Sequence, residues 1–300
     1  MHLILKTSLL VLFLSSCIQS VHAQEFQWWD QKHGYTGAFP RTDLIVIAPS
    51  VMGPNALPVP PINNGKIPEE FSIEAGGEGH FHPGDRTLGI WGTLYTPLFS
   101  NRAGLHLSWV PVEFYRMDTI TRDLRRSMDR DGKGNNTTDL YISTYISLVK
   151  DHSTLPDVLL TLNLRTATGS GLGNARTSNM PGYFFDLSIG KTFELNRSIF
   201  REIRPHIMAG VYIWQVNDPW QEQNDAVLCG AGLDLEMNRF SITNAFGGYA
   251  GYIGNGDDPL VYRLQINTRF QSKVNYHVQF QHGLHDYPFT SVRLGIRYTP

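Results

Sequence analysis

Polar and apolar residues alternate over stretches of about ten, and this limits what the chain can become more than any other feature. Successive strand residues face opposite sides, so a bilayer-crossing barrel strand reads apolar outward and polar inward. In Tyr262 to Gln271, Tyr262, Leu264, Ile266, Thr268 and Phe270 share one face, and Arg263, Gln265, Asn267, Arg269 and Gln271 the other. Phe71, Ile73, Ala75 and Phe81 oppose Ser72, Glu74, Glu78, His80 and His82. Leu140, Ile142, Ile146 and Leu148 oppose Tyr141, Ser143, Tyr145 and Ser147. Val158, Leu160, Leu162 and Leu164 oppose Thr161, Asn163 and Arg165, and Val292, Leu294, Ile296 and Tyr298 oppose Ser291, Arg293 and Arg297. Weaker versions occupy 86–98, 103–115, 182–193, 203–215, 225–237, 239–252 and 274–283. Pro111 interrupts the third stretch, and Asn244 falls on the apolar face of the ninth. The spacing predicts an all-β fold, a closed antiparallel transmembrane β-barrel of about twelve strands, with an irregular N-terminal segment.

The rival is a soluble β-sandwich or lipocalin-like barrel, whose strands run to about five or six residues. Several stretches here are longer. Aromatic residues gather near strand ends, among them Tyr95, Phe99, Trp109, Tyr183, Trp214 and Tyr298, as in interfacial girdles. Connections alternate in length too. With the first strand starting in the periplasm, 116–138, 168–181, 216–224 and 253–259 lie outside the cell, while 151–155, 238–239 and 272–273 are inside turns. Long outer loops and short periplasmic turns are the asymmetry of such barrels. The inside turn 194–202 and the outside turn 82–85 depart from it.

The start of the chain reads as an export signal: Lys6, an apolar run from Ser8 to Leu14, then Val21-His22-Ala23 before Gln24. The run is too short to cross a bilayer as a helix. Leu14-Ser15-Ser16-Cys17 offers a second reading, a lipoprotein box that leaves a lipidated Cys17. Cleavage near Ala23 leaves Cys229 alone, which excludes an internal disulfide. The chain thus divides into a signal peptide, 1–23, an N-terminal extension or plug, 24–69, and a barrel, 70–300. Residues 53–61, Gly-Pro-Asn-Ala-Leu-Pro-Val-Pro-Pro, are poor ladder donors. They fit a periplasmic extension, whereas the apolar run 42–48 with Trp28 and Trp29 fits a docked plug. A net charge of -2 gives no reason to expect nucleic acid as a partner.

No Gly-x-Ser-x-Gly elbow is present, so the sequence points to no catalytic residue and to no cofactor. His80-x-His82 places two imidazoles on one strand face. With His282 and His285 near the same rim, they form a candidate metal set of the kind that suits Zn²⁺, Ni²⁺ or Cu²⁺. Asp85 and Asp286 stand close by in sequence. Asp129 to Asn135 starts like a calcium loop but has Lys133 and Leu140 at ligand positions, so it reads as a polar turn. The alternation assigns Arg165, Arg204, Arg263, Arg269, Arg293 and Arg297 to the lumen, with Glu74, Glu78, Asp186, Asp234 and Glu236. Their separation by sign predicts a transverse field in a wet lumen, or paired charges in a dry one.

At Leu155-Pro156-Asp157-Val158, leading into Leu164-Arg165-Thr166-Ala167-Thr168-Gly169, the chain resembles a strand of presumed outer-membrane transporters associated with phenol-degradation operons. Gly182-Tyr183-Phe184-Phe185-Asp186 and Gly251-Tyr252-Ile253-Gly254-Asn255-Gly256-Asp257 are similar to uncharacterised barrel proteins of Gram-negative envelopes. The resemblance implies the outer membrane and transport. The expectation is a narrow or plugged channel for an unnamed small solute, since about twelve strands enclose less than the 16–18 of open porins. The alternatives are a sealed structural or surface-binding envelope protein and a barrel-embedded lipid-modifying enzyme. The expected partners are outer-membrane lipid, lipopolysaccharide and the barrel-assembly machinery.

Overall fold

The computed structural model describes residues 26–99, 101–195, 199–218 and 220–300. The signal peptide, its cleavage position and Cys17 lie outside the described residues. The strands are β1 Ser72–His82, β2 Asp85–Leu98, β3 Ala103–Met117, β4 Lys133–Asn136, β5 Tyr141–Val149, β6 Asp157–Arg165, β7 Gly182–Gly190, β8 Phe193–Glu194, β9 Phe200–Asp218, β10 Gln221–Met237, β11 Phe240–Ala250, β12 Leu260–Thr268, β13 Val274–His285 and β14 Thr290–Tyr298. Among the described residues, β4 and β8 are short additions that pair with β3 and β9. The other twelve form one antiparallel sheet, and β14 pairs back with β1, with Glu74 opposite Arg297 and Glu78 opposite Arg293. The barrel is closed, and closure removes the exposed edges that hydrocarbon cannot satisfy.

The alternation is realised strand by strand. In β7, Phe184, Asp186 and Ser188 are buried inside, and Tyr183, Phe185, Leu187 and Ile189 are exposed outside. Both sequence defects have a physical resolution. Pro111 lies where Val110 and Pro111 together oppose Trp91, a β-bulge that spares proline a ladder bond. The bulge also switches the inward parity of β3, from Gly104 and Val110 to Glu113, Tyr115 and Met117. Asn244 faces outward as the pattern requires, and Tyr262 on the neighbouring strand donates its hydroxyl to it at 2.8 Å.

One rim carries the connections 118–140, 166–181 and 251–259; the other carries 238–239 and 269–273 together with Ser72 and Tyr298. These are called the loop rim and the turn rim below. The first long connection is ordered. It contains helix α2, Thr119–Leu124, whose N-cap Asp118 accepts from the Thr121 amide at 2.7 Å, and then β4. The long loop expected at 216–224 is instead largely taken up by β9, which runs to Asp218, and β10, which starts at Gln221; Asp218 pairs with Gln221 and Gln215 with Gln223. Above the apolar band both faces of such a hairpin are polar, so no alternation marks it. The turn expected at 194–202 is shortened by the pairing of β8 with β9.

The N-terminal residues lie at the loop rim and inside the barrel. Helix α1, Gln27–His33 (labelled before α2 in the chain), buries Trp29, which donates to the Arg126 carbonyl at 3.0 Å. Lys32 pairs with Asp123 at 3.1 Å, and Arg126 donates to the Leu44 carbonyl at 3.2 Å. Residues 45–67 then run down through the lumen and leave at the turn rim, where Tyr95 donates to the Pro68 carbonyl at 2.6 Å. Ile45, Ile47, Met52, Leu57 and Val59 are buried with wall residues Tyr212, Trp214, Leu228 and Tyr249. Full burial of such an apolar side chain contributes about 1.5–3 kcal/mol. Ile62 enters a notch between Gly230 and Gly247, opposite each other on β10 and β11. A Cβ at either would come within 2.3 Å of Ile62 Cδ1.

Candidate functional site: the barrel interior

A proline-rich chain inside a barrel has an unequal hydrogen-bond problem. Pro54, Pro58, Pro60 and Pro61 lack N–H groups, while every carbonyl still needs a donor. The wall supplies the donors. Arg165 on β6 donates to the Ala56 carbonyl at 2.9 Å and to the Met180 carbonyl at 2.6 and 3.0 Å. Arg263 on β12 donates to the Pro60 carbonyl at 2.6 Å, to the Val59 carbonyl and to Gln281 Oε1. Arg204 on β9 donates to the Asn64 carbonyl at 3.0 Å and meets Asp157 at 2.9 Å. Asn63 donates to Asp186 at 3.2 Å, and Asn64 to Asp234 at 2.7 Å. The segment thus leans on the wall from β6 to β12.

The remaining lumen charges pair locally. Arg293 donates to Glu78 at 2.5 and 3.0 Å, Arg297 to Glu74 at 2.6 Å, and Arg269 to Glu236 at the turn rim. Of the two arrangements expected, separated signs or paired charges, these residues take the paired one. β14 lies in register with β1, so Arg293 and Arg297 each meet a carboxylate on the adjacent strand.

A buried charge cluster lies toward the loop rim. Asp85, at the start of β2, accepts from both Arg125 and Arg176, and all three are buried. Arg176 also donates to Thr87, lies 3.5 Å from Glu113 and stacks over Tyr115 at 4.8 Å. Asn55 bridges Glu78 and Glu113 at 2.8 and 3.0 Å. Gly53 fits only because it has no side chain, since a Cβ there would lie 2.8 Å from Arg176 Cζ. Burial pushes the Arg125 guanidinium down, and Asp85 opposes that shift. Nearby, burial raises the Asp139 carboxyl against the pull of Arg165. Of this cluster Asp85 had a sequence signal in its place after His80-x-His82, and Glu78 in the alternation of β1. Arg125, Arg176 and Asn55 lie in aperiodic segments, and the bulge at Pro111 hides the parity of Glu113.

Opposite the segment, a cavity of about 410 Å³ is bounded by residues 58–63 and by inward side chains of β1–β3, β5 and β12–β14. A second space of about 440 Å³ lies at the turn rim beside Pro68–Glu70, Tyr95 and Thr299. Glu74, Thr93, His106, Tyr145 and Arg297 border both.

The candidate metal set is not brought together. His80 points inward, 2.6 Å from Ser291 Oγ and 3.2 Å from Glu78. His82 accepts from the Gly84 amide at 3.2 Å and packs near Phe289. His282 faces outward and lies 2.8 Å from Thr290 Oγ1, because the inward positions of β13 are His277, Gln279 and Gln281. His285 stands exposed at the rim, 2.8 Å from the Asp258 carbonyl. Among the described residues no group of three or more His, Cys, Asp or Glu is placed to hold a metal ion.

No protein-family model and no curated protein matches the sequence. Solved structures do match. The COG4313 outer membrane channel from Pseudomonas putida F1 is 14% identical over 80% of this chain and 98% of its own, with a TM-score of 0.53. The fold is that of an outer-membrane β-barrel. The KdgM porin (10% identity, 76% and 99% coverage, TM-score 0.46) and the NanC porin (8%, 77% and 100%, 0.48) are more distant likenesses.

Proposed function

We propose that the chain is an outer-membrane channel for small solutes, and that residues 45–67 are its plug. The observation that carries this reading is the set of wall arginines, Arg165, Arg204 and Arg263, clamping the carbonyls of a lumenal segment beside a cavity that continues to the turn rim. A barrel with a purely structural lumen needs no such space. The run from Leu155 to Gly169, with its resemblance to presumed transporters linked to phenol degradation, supports the same class. The loop rim then faces outward and the turn rim the periplasm. Export uses the signal ending near Ala23 and insertion the barrel-assembly machinery, and the apolar outer face meets lipid and lipopolysaccharide. The buried charge cluster around Asp85 favours one rival, a sealed envelope protein, in which the passage never opens.

Reconstitution of the full chain in planar bilayers separates the two. The channel reading expects discrete current steps from protein that migrates faster unboiled than boiled in detergent gels, as closed barrels do. Folded barrels that stay silent at all voltages support the sealed alternative.

A further inference from the structure

We infer that the cavity beside residues 58–63 is a binding site for a neutral, hydroxyl-rich solute of the saccharide class, entered from the turn rim. This rests on the channel reading and names its substrate class. The first argument is charge. The cavity carboxylates Glu74 and Glu78 are each matched by an arginine on the adjacent strand, at 2.6 and 2.5 Å. Asp139 lies 3.9 Å from Arg165. Arg263 is engaged at all three guanidinium nitrogens by Val59, Pro60 and Gln281. An anionic solute would compete with these carboxylates, or with the carbonyls of the segment, for guanidiniums that are already paired. A cation finds no free carboxylate along this wall.

The second argument is unused hydrogen-bonding capacity. Thr93 and Ser108 stand directly opposite each other on β2 and β3, and both line the cavity, as does Gln279. Among the described residues, none of these three side chains has a hydrogen bond within the protein. A purely apolar or aromatic solute would strand them without water or a partner, at a cost of about 1–3 kcal/mol for each buried group. Hydroxyl groups serve all three, since each is at once donor and acceptor. The third argument is shape. His106 and Tyr145, whose rings stack at 5.8 Å with planes 16° apart, both border the cavity, and an aromatic ring beside polar groups can meet the C–H face of a pyranose. The volume of about 410 Å³ lies within the range of roughly 300–1,000 Å³ for small-molecule pockets.

The test is isothermal titration of maltose into full-length protein in detergent, with glucuronate and benzoate as competitors. The expected result is saturable maltose binding that neither acid displaces. In a Thr93→Val/Gln279→Leu variant, binding should weaken about tenfold or more while the unboiled gel shift stays intact. Absent maltose binding, tighter binding of either acid, or an unaffected double variant would overturn the assignment. Bilayer currents without maltose binding leave the channel reading standing and remove this site. Maltose binding without currents keeps the site and removes passage.

Discussion

Replacing Asp85 with asparagine keeps the volume of the side chain and removes the charge that two buried arginines share. Arg176 retains Glu113 at 3.5 Å and the Tyr115 ring. Among the described residues, Arg125 loses its one carboxylate hydrogen-bond partner and keeps Met117 Sδ at 3.6 Å and the Phe289 ring at 5.5 Å. Removing one partner of a buried pair costs about 3–5 kcal/mol. At about 1.4 kcal/mol per factor of ten, that raises the population in which the 118–140 loop detaches by roughly two to three and a half decades. The twelve-strand ladder does not depend on this carboxylate, so the barrel should stay closed. The assay is limited trypsin digestion of the folded protein, reading cleavage after Arg125 and Arg126. Cleavage there should be slow in the parent and faster by at least a hundredfold in Asp85→Asn, with the gel shift of unboiled protein retained. Equal cleavage rates with intact barrels would refute the view that this cluster latches the loop rim.

Arg263→Glu places a carboxylate against two backbone carbonyls. It should release residues 59–60 and increase single-channel current, whereas Arg269→Glu, at an exposed rim pair, should change current little. Asp30, held by two hydrogen bonds from Arg41 at 2.7 and 2.8 Å, has a carboxyl pK lowered below the ordinary 3.8. Because the folded value is the lower one, its stabilisation of residues 26–44 is complete above the ordinary carboxylate range and lost as pH falls through the depressed value. Amide exchange at residues 27–35 should therefore be flat from pH 7 to about 5 after correction for intrinsic rates, and should rise only in stronger acid.

The barrel was legible because membrane strands must satisfy two solvents at once, and that demand is written residue by residue. Tyr262 to Thr268 shows it plainly. The reading failed where that demand lapses. Gln221 to Gln223 are strand above the apolar band, where both faces are polar, and so they looked like loop. His282 looked like a partner for His80 because proximity to a rim was visible in sequence, while parity separates the two. The lumenal path of 45–67 was only one of two readings, since proline-rich composition says that carbonyls need donors without saying where the donors are. The donors, Arg165, Arg204 and Arg263, stand on three different strands, and only the closed barrel makes them face one segment. The latch was hidden more deeply, because its members come from a strand start, a strand beyond a bulge and two aperiodic loops.

A reversible covalent lock between segment and wall tests the central claim, that residues 45–67 fill the lumen and govern passage. Ile62→Cys with Gly247→Cys in a Cys229→Ser background joins the tip of the Ile62 notch to the β11 wall. The account predicts that the disulfide forms in the folded barrel, and that planar bilayers show current steps only after reduction. Failure of the pair to cross-link would contradict the position of the segment. Equal currents from oxidised and reduced protein would contradict its role as the plug.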